Sequence, residues 1–245
     1  MSRLWTILGV ALICFALPNT GFAQEMSLSL GDGENSLTAR GIQLFVLITL
    51  LSLAPGLAIM ITCFPFIVTV LSILRQAIGL QQSPPNLLIV SLALFLSYFV
   101  MEPVFTTAWE NGISPLLNET LTVEEAFPRT LEPFRVFMTS RVDPDTFHSM
   151  AALRPEGAVS HISPEAPLSV LIPSFLLSEI ARAFQIGFLV FLPFLIIDLV
   201  VAAILMSMGM MMVPPAIVSL PFKLAFFVIA DGWSLIAGSL VRGYF

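Results

Sequence analysis

The sequence predicts an all-α membrane protein built from long, kinked helical hairpins, with four nominal transmembrane segments. Three observations carry that expectation. Hydrophobic residues make up 57% of the chain and charged residues only 11%, whereas soluble domains carry about 25% charge. Residues 42–74 form a run of 33 without a charge, about 50 Å as a helix against a hydrocarbon core of about 30 Å. Two later apolar runs meet at a methionine-rich loop, residues 206–215, that ends in Pro214-Pro215. The acidic balance, a formal charge of −6, excludes the basic stripes that nucleic-acid binding needs.

Residues 1–23 have the pattern of a cleaved signal peptide. Arg3 gives the positive start, residues 4–17 the apolar centre, and Gly21-Phe22-Ala23 the small-x-small site. Cleavage would remove Cys14 and leave Cys63 alone, a small buried hydrophobe with no CxxC or metal spacing around it. Residues 24–41 then form a polar exported segment.

The first helical hairpin spans residues 42–106. Pro55-Gly56 and Pro65 bend its first arm, and Arg75 ends it. Gln81, Gln82, Ser83, Pro84 and Pro85 make the turn, and the return run 86–101 stops at Glu102-Pro103 near Trp109, a boundary aromatic. Residues 107–167 form a periplasmic helical insert. Its four arginines outnumber Arg75 on the other side and strain the positive-inside rule, so the signal peptide sets the orientation. Thr122 and Glu125 match a capping box, and Asp143-Pro144 pairs an N-cap with a first-turn proline. Short helices are expected at 122–127, 131–140 and 144–153. The insert is too small for a comfortable core and is expected to pack on other copies or a partner.

The second hairpin, residues 168–245, is entered through Ser163-Pro164-Glu165, another capping pattern. Its first arm is too long for one crossing and carries Ser178, Glu179, Arg182 and Gln185 in one stretch, with Pro193 placed to kink it. In its second arm Ala230, Ser234 and Gly238 recur every fourth residue, a small face for helix packing. Overlong, broken segments with ionisable groups inside them imply helices packed on protein more than on lipid, hence an oligomer.

Glu179 and Arg182 are neighbours on one helix face and can pair. Asp198 and Lys223 flank the Met-rich loop at nearly equal distance along the chain, so the two can meet as a salt bridge between the hairpin arms. Asp231 is left without a named partner. A proton or ion relay through Glu179, Arg182 and Asp198 is the functional alternative, because ionisable groups in membrane helices are costly without a role. His148 and His161 lack ligand spacing, so no metal is expected, and there is no GxSxG, HExxH, P-loop or GxGxxG. The chain has the look of a non-enzyme without a cofactor. Phe127, Phe134, Phe137 and Phe147 are expected to pack, with Phe137 the candidate for an aromatic lining a pore. The methionines have two readings, as fillers of irregular space or as a soft seal, and composition alone favours the filler.

Residues 171–188 (LIPSFLLSEIARAFQIGF), 193–200 (PFLIIDLV), 208–215 (MGMMMVPP), 220–223 (LPFK), 231–233 (DGW), 84–86 (PPN) and 92–96 (LALFL) together resemble the FliP family, the flagellar member of the type III secretion export-gate proteins. Ser174 is the one departure noted, at a position where the family usually has Ala. The resemblance implies a homopentamer that assembles with FliQ and FliR into a helical ring in the inner membrane at the flagellar basal body. With FlhA and FlhB that ring would pass unfolded flagellar subunits, much of it standing on the periplasmic side of the lipid. It also implies that Met208, Met210, Met211 and Met212 form a methionine gasket around the substrate. The rival reading is a secondary transporter with Glu179, Arg182 and Asp198 as coupling site. An intramembrane enzyme is the remote third.

Overall fold

The computed structural model describes residues 35–80, 84–154, 161–210 and 212–244. The expected signal peptide, most of the polar segment after it, residues 81–83 of the turn and Met211 lie outside the described residues. The chain divides into two units, residues 1–49 and 50–245. Among the described residues every regular element is helical. Three helices are long and apolar enough to cross a membrane, and a bent pair makes a fourth span. The chain is an all-α membrane protein.

Helix α1, Asn35–Met60, has an apolar stretch from Gly41 to Met60 with Ile42, Phe45 and Leu51 exposed. The helix continues through Pro55-Gly56 without a break. The break comes instead at residues 61–63, and α2, Phe64–Ile78, begins with Pro65 in its first turn. A proline there sacrifices no hydrogen bond, because first-turn N–H groups have no helical partner. Helix α2 buries Ile67, Val70, Leu71, Leu74 and Ile78, a one-face spacing, and packs most extensively on α7. It stops at Gly79, whose φ of 89° is the left-handed geometry of a C-terminal cap.

Helix α3, Asn86–Ala108, does not stop at Glu102-Pro103 as expected. It continues through a π-helical turn, Trp109–Ile113, into the short α4, Ser114–Leu117. Thr106 and Thr107 donate their hydroxyls to the Glu102 and Pro103 carbonyls at 2.9 and 2.8 Å. Packing on α5 then brings the Phe105 and Phe134 rings to 5.8 Å. The π turn touches α5 so closely that a Cβ on Gly112 would fall 2.8 Å from the Thr130 backbone nitrogen.

Helix α5, Val123–Arg141, fuses two helices expected separately. Pro128 and Pro133 lie inside it, and the residues whose carbonyls they leave without an N–H partner, Glu124 and Arg129, are exposed to solvent. The capping box forms as expected, with Glu125 N–H donating to Thr122 Oγ1 and Thr122 N–H to Glu125 Oε2. Helix α6, Pro144–Ala152, is capped by Asp143, which accepts from the Thr146 N–H and hydroxyl, both at 2.9 Å. Those bonds hold the Asp143 carboxyl below its usual range.

Helix α7, Leu168–Ser207, is one helix of 40 residues, about 60 Å long and roughly twice the hydrocarbon thickness. It starts after Pro167, later than the Ser163 pattern suggests, because Arg135 draws the Pro164 and Ala166 carbonyls to its guanidinium at 2.7 and 2.8 Å. The insert shares a core with α7. Met138, Val142 and Phe147 pack with Leu171 and Phe175 of α7. A second core joins α2 and α3 to Ala183 and Phe194 of α7 and Phe227 of α8, Pro215–Ile229. Helix α9, Gly232–Arg242, bends away from α8 by 61° at Asp231, whose φ is 47°. The expected small face of Ala230, Ser234 and Gly238 is thus split, with Ala230 at the break. Gly232 is required there, since a Cβ would lie 2.2 Å from the Phe227 ring.

Replacing Gly112 with Ala forces the π turn off α5, an overpacking cost of about 1–3 kcal/mol. Thermal unfolding of the purified protein is expected to shift down by several degrees; an unchanged midpoint would contradict this contact.

Candidate functional site

The charged residues that α7 carries into an apolar setting are held by two separate constellations. In the first, Glu179 is completely buried. A buried carboxylate must fill its acceptor sites, since an unpaired charge in low dielectric is costly. Arg141 Nε donates to Oε1 from 3.2 Å and Arg182 NH1 from 3.3 Å, while the Tyr244 hydroxyl donates to Oε2. Arg141 also donates to the Gly243 carbonyl at 2.9 Å and stacks its guanidinium 4.0 Å above the Tyr244 ring. Burial, and then the neighbouring carboxylate, push the Tyr244 phenol far above its ordinary range, so it remains a donor. One carboxylate therefore ties the end of α5, the middle of α7 and the chain after α9 together.

Sequence reasoning found Arg182 and missed Arg141 and Tyr244. The available signal was satisfiability: a carboxylate with one i,i+3 partner keeps an oxygen unfilled and needs further donors. Phe137 packs its half-buried ring between Phe175, at 5.8 Å, and Tyr244, at 6.1 Å, and so braces the same junction. Ser178 accepts from the Asp143 N–H at 2.9 Å and donates to the Ser174 carbonyl, fastening the α6 entrance to α7. Ser174 itself is buried and donates to the Val170 carbonyl at 2.7 Å, so the extra hydroxyl is satisfied within the helix.

The second constellation crosses the hairpin. Lys223 Nζ lies 2.7 Å from Asp198 Oδ2 and donates at 3.0 Å to the Ala77 carbonyl in the last turn of α2. Ser219 donates to Asp198 Oδ1 at 2.6 Å. The ammonium thus meets a carboxylate and the negative end of a helix at once. Glu179 and Asp198 are 19 residues apart on α7, about 28 Å, and each has its own partners. They do not share a coupling site. Asp231 starts α9 without a side-chain cap bond.

Beyond the Asp198–Lys223 clamp the hairpin ends in the methionine tip. Helix α7 closes with a Schellman motif: Gly209, at φ 73°, donates to the Met206 carbonyl at 3.1 Å, and Met210 N–H to Leu205 at 2.9 Å. The turn is a backbone construction that needs the glycine. Pro214 and Pro215 then open α8 with a fixed φ. Met208 is 66% exposed, Met210 43% and Met212 97%. Met208 and Met210 line the mouth of a groove of about 490 Å³ with Val201, Leu205, Val218 and Phe222, whereas Met212 stands free of it.

The FliP family model matches residues 47–240. Flagellar biosynthetic protein FliP of Caulobacter vibrioides is 51% identical over 239 residues, which cover 96% of this chain and 88% of that protein. The chain belongs to the FliP family. The Bacillus subtilis protein of the same name is 43% identical over 219 residues, 88% of this chain and 96% of that protein. The Aquifex aeolicus one is 43% identical over 225 residues, 91% and 93%. Both charged constellations and the methionine tip fall inside the stretch matched to the FliP family, except Tyr244 and the Gly243 carbonyl, which follow it.

Lys223→Met strands Asp198 and the Ala77 carbonyl. Asp198 keeps about a third of its side-chain exposure, so the cost is discounted to about 1–3 kcal/mol. Adding Asp198→Leu is expected to recover most of it in unfolding of the purified protein. Simple additivity of the two losses would show that the pair does not act as a unit.

Proposed function

We propose that this chain is the pore-forming core subunit of a flagellar type III export gate in the bacterial inner membrane. Five copies assemble with FliQ and FliR into a helical ring at the basal body. With FlhA and FlhB, that ring passes unfolded flagellar subunits, and much of it stands on the periplasmic side. Family membership supports the flagellar setting, since the relatives above carry the name flagellar biosynthetic protein. The length of α7 supports a body that rises out of the lipid: about 60 Å of helix cannot be spent on one crossing. Exposed apolar side chains along α3, α7 and α8, including Phe95, Phe188, Ile196 and Phe222, support burial against neighbouring helices or lipid.

The observation that carries the reading is the anchored tip. Five of the seven residues at positions 206–212 are methionine, at the end of a hairpin that has a backbone cap and whose arms a partly buried Lys–Asp clamp joins. Unbranched, polarizable thioethers projecting from a fixed turn conform to a sliding chain of changing sequence and close behind it. Met208, Met210, Met211 and Met212 form this gasket. Glu179, Arg182, Asp198 and Lys223 hold the frame and perform no chemistry, and Phe137 braces the Glu179 junction from within the subunit. The gate has no cofactor and catalyses nothing.

Alanine at all four gasket positions is expected to raise ion leak across the inner membrane, with export of flagellar subunits partly retained. Unchanged permeability in that variant, with the protein present at normal level, would contradict the gasket.

A further inference from the structure

The tip concentrates one reactive group. Residues 199–222 contain no Cys, Trp, Tyr or His, so the five thioethers are the oxidisable side chains of the whole hairpin end. Among the described residues outside the tip, Met101 and Met138 are buried to within 1% and Cys63 completely, whereas Met60 is a single exposed thioether at 43%. Oxidation of methionine follows access, and Met206, Met208, Met210 and Met212 are all exposed. The Schellman turn is closed by backbone bonds, Gly209 N–H to the Met206 carbonyl and Met210 N–H to the Leu205 carbonyl. A change of side-chain chemistry therefore leaves the backbone geometry in place, and undoing it restores the starting surface.

We propose that the methionine tip is a site of reversible two-electron oxidation by hypochlorous acid, through which the gate opens to ions. The proposal rests on the gasket reading. A sulfur lone pair displaces hydroxide from chlorine; water then adds at sulfur as chloride leaves and two protons depart, one neutralising the hydroxide. The net change is thioether plus hypochlorous acid to sulfoxide, chloride and one proton. The sulfoxide oxygen is a strong hydrogen-bond acceptor on what was an apolar side chain, and it recruits water where the seal excludes it. Two epimers form, each the substrate of its own methionine sulfoxide reductase, so both reductases are needed for return.

The full gate complex in liposomes, treated with dilute hypochlorous acid, tests this by peptide mass spectrometry and ion flux on the same sample. The expected result is one added oxygen at the tip methionines ahead of Met101 and Met138, with a several-fold rise in leak that the two reductases reverse. A variant with leucine at 206, 208, 210, 211 and 212 is compared with itself before and after oxidant, and its leak is expected not to change. Failure of the tip to oxidise ahead of Met101 and Met138, a leak that ignores its oxidation, or an oxidant-induced leak that persists in the leucine variant would each overturn the proposal. If alanine at the gasket positions leaves permeability unchanged, the gasket reading fails. If alanine leaks but sulfoxide does not, the oxidation proposal alone fails.

Discussion

A charge inside an apolar helix has to be answered from within the protein, and the architecture follows from how this chain answers two of them. Glu179 is met by donors from the end of α5 and from the residues after α9, segments more than 60 positions apart on the chain. Asp198 is met by Lys223, which reaches on to the end of α2. Each ion pair is therefore a junction of three segments. The energetic gain of a buried pair over apolar packing is small, but the penalty for an unmet partner is large. Arrangements in which these helices slip or separate are thereby excluded, and one geometry of the long α7 is selected.

Between those junctions the packing is ordinary. Helix α2 lays one apolar face on α7, and the insert between α3 and α7 folds back onto the first turns of the same helix, so α7 is the common wall of both cores. What is unusual lies outside them. Long apolar faces remain open, and the hairpin ends in exposed thioethers on a hydrogen-bonded backbone cap. A frame fixed by charge and a tip left adaptable suit a channel that must hold its shape while its contents vary.

The sequence made the membrane class, the helical hairpins, the capping box at Thr122 and the register of Asp198 with Lys223 legible, because each rests on local composition or on spacing. It misled wherever tertiary contact outweighed a local breaker. Pro103 and Pro128 should end helices, yet α3 runs through the first while packing on α5, and α5 runs through the second with the deprived Glu124 carbonyl on an exposed residue. The break at Asp231 went unseen because the residues around it are good span formers, and the cause, Gly232 against the Phe227 ring, is a contact. Arg141 and Tyr244 were invisible as partners of Glu179 for the same reason: nothing in linear spacing brings residues 141, 179 and 244 together.

Central to this account is that the methionine tip, and not the walls of the hairpin, meets the travelling polypeptide. A photo-crosslinking amino acid placed in turn at 212 and at 196, with an export substrate stalled in the gate, measures this directly. The account predicts substrate adducts from 212 and none from 196. Adducts from 196 with none from 212 would contradict it.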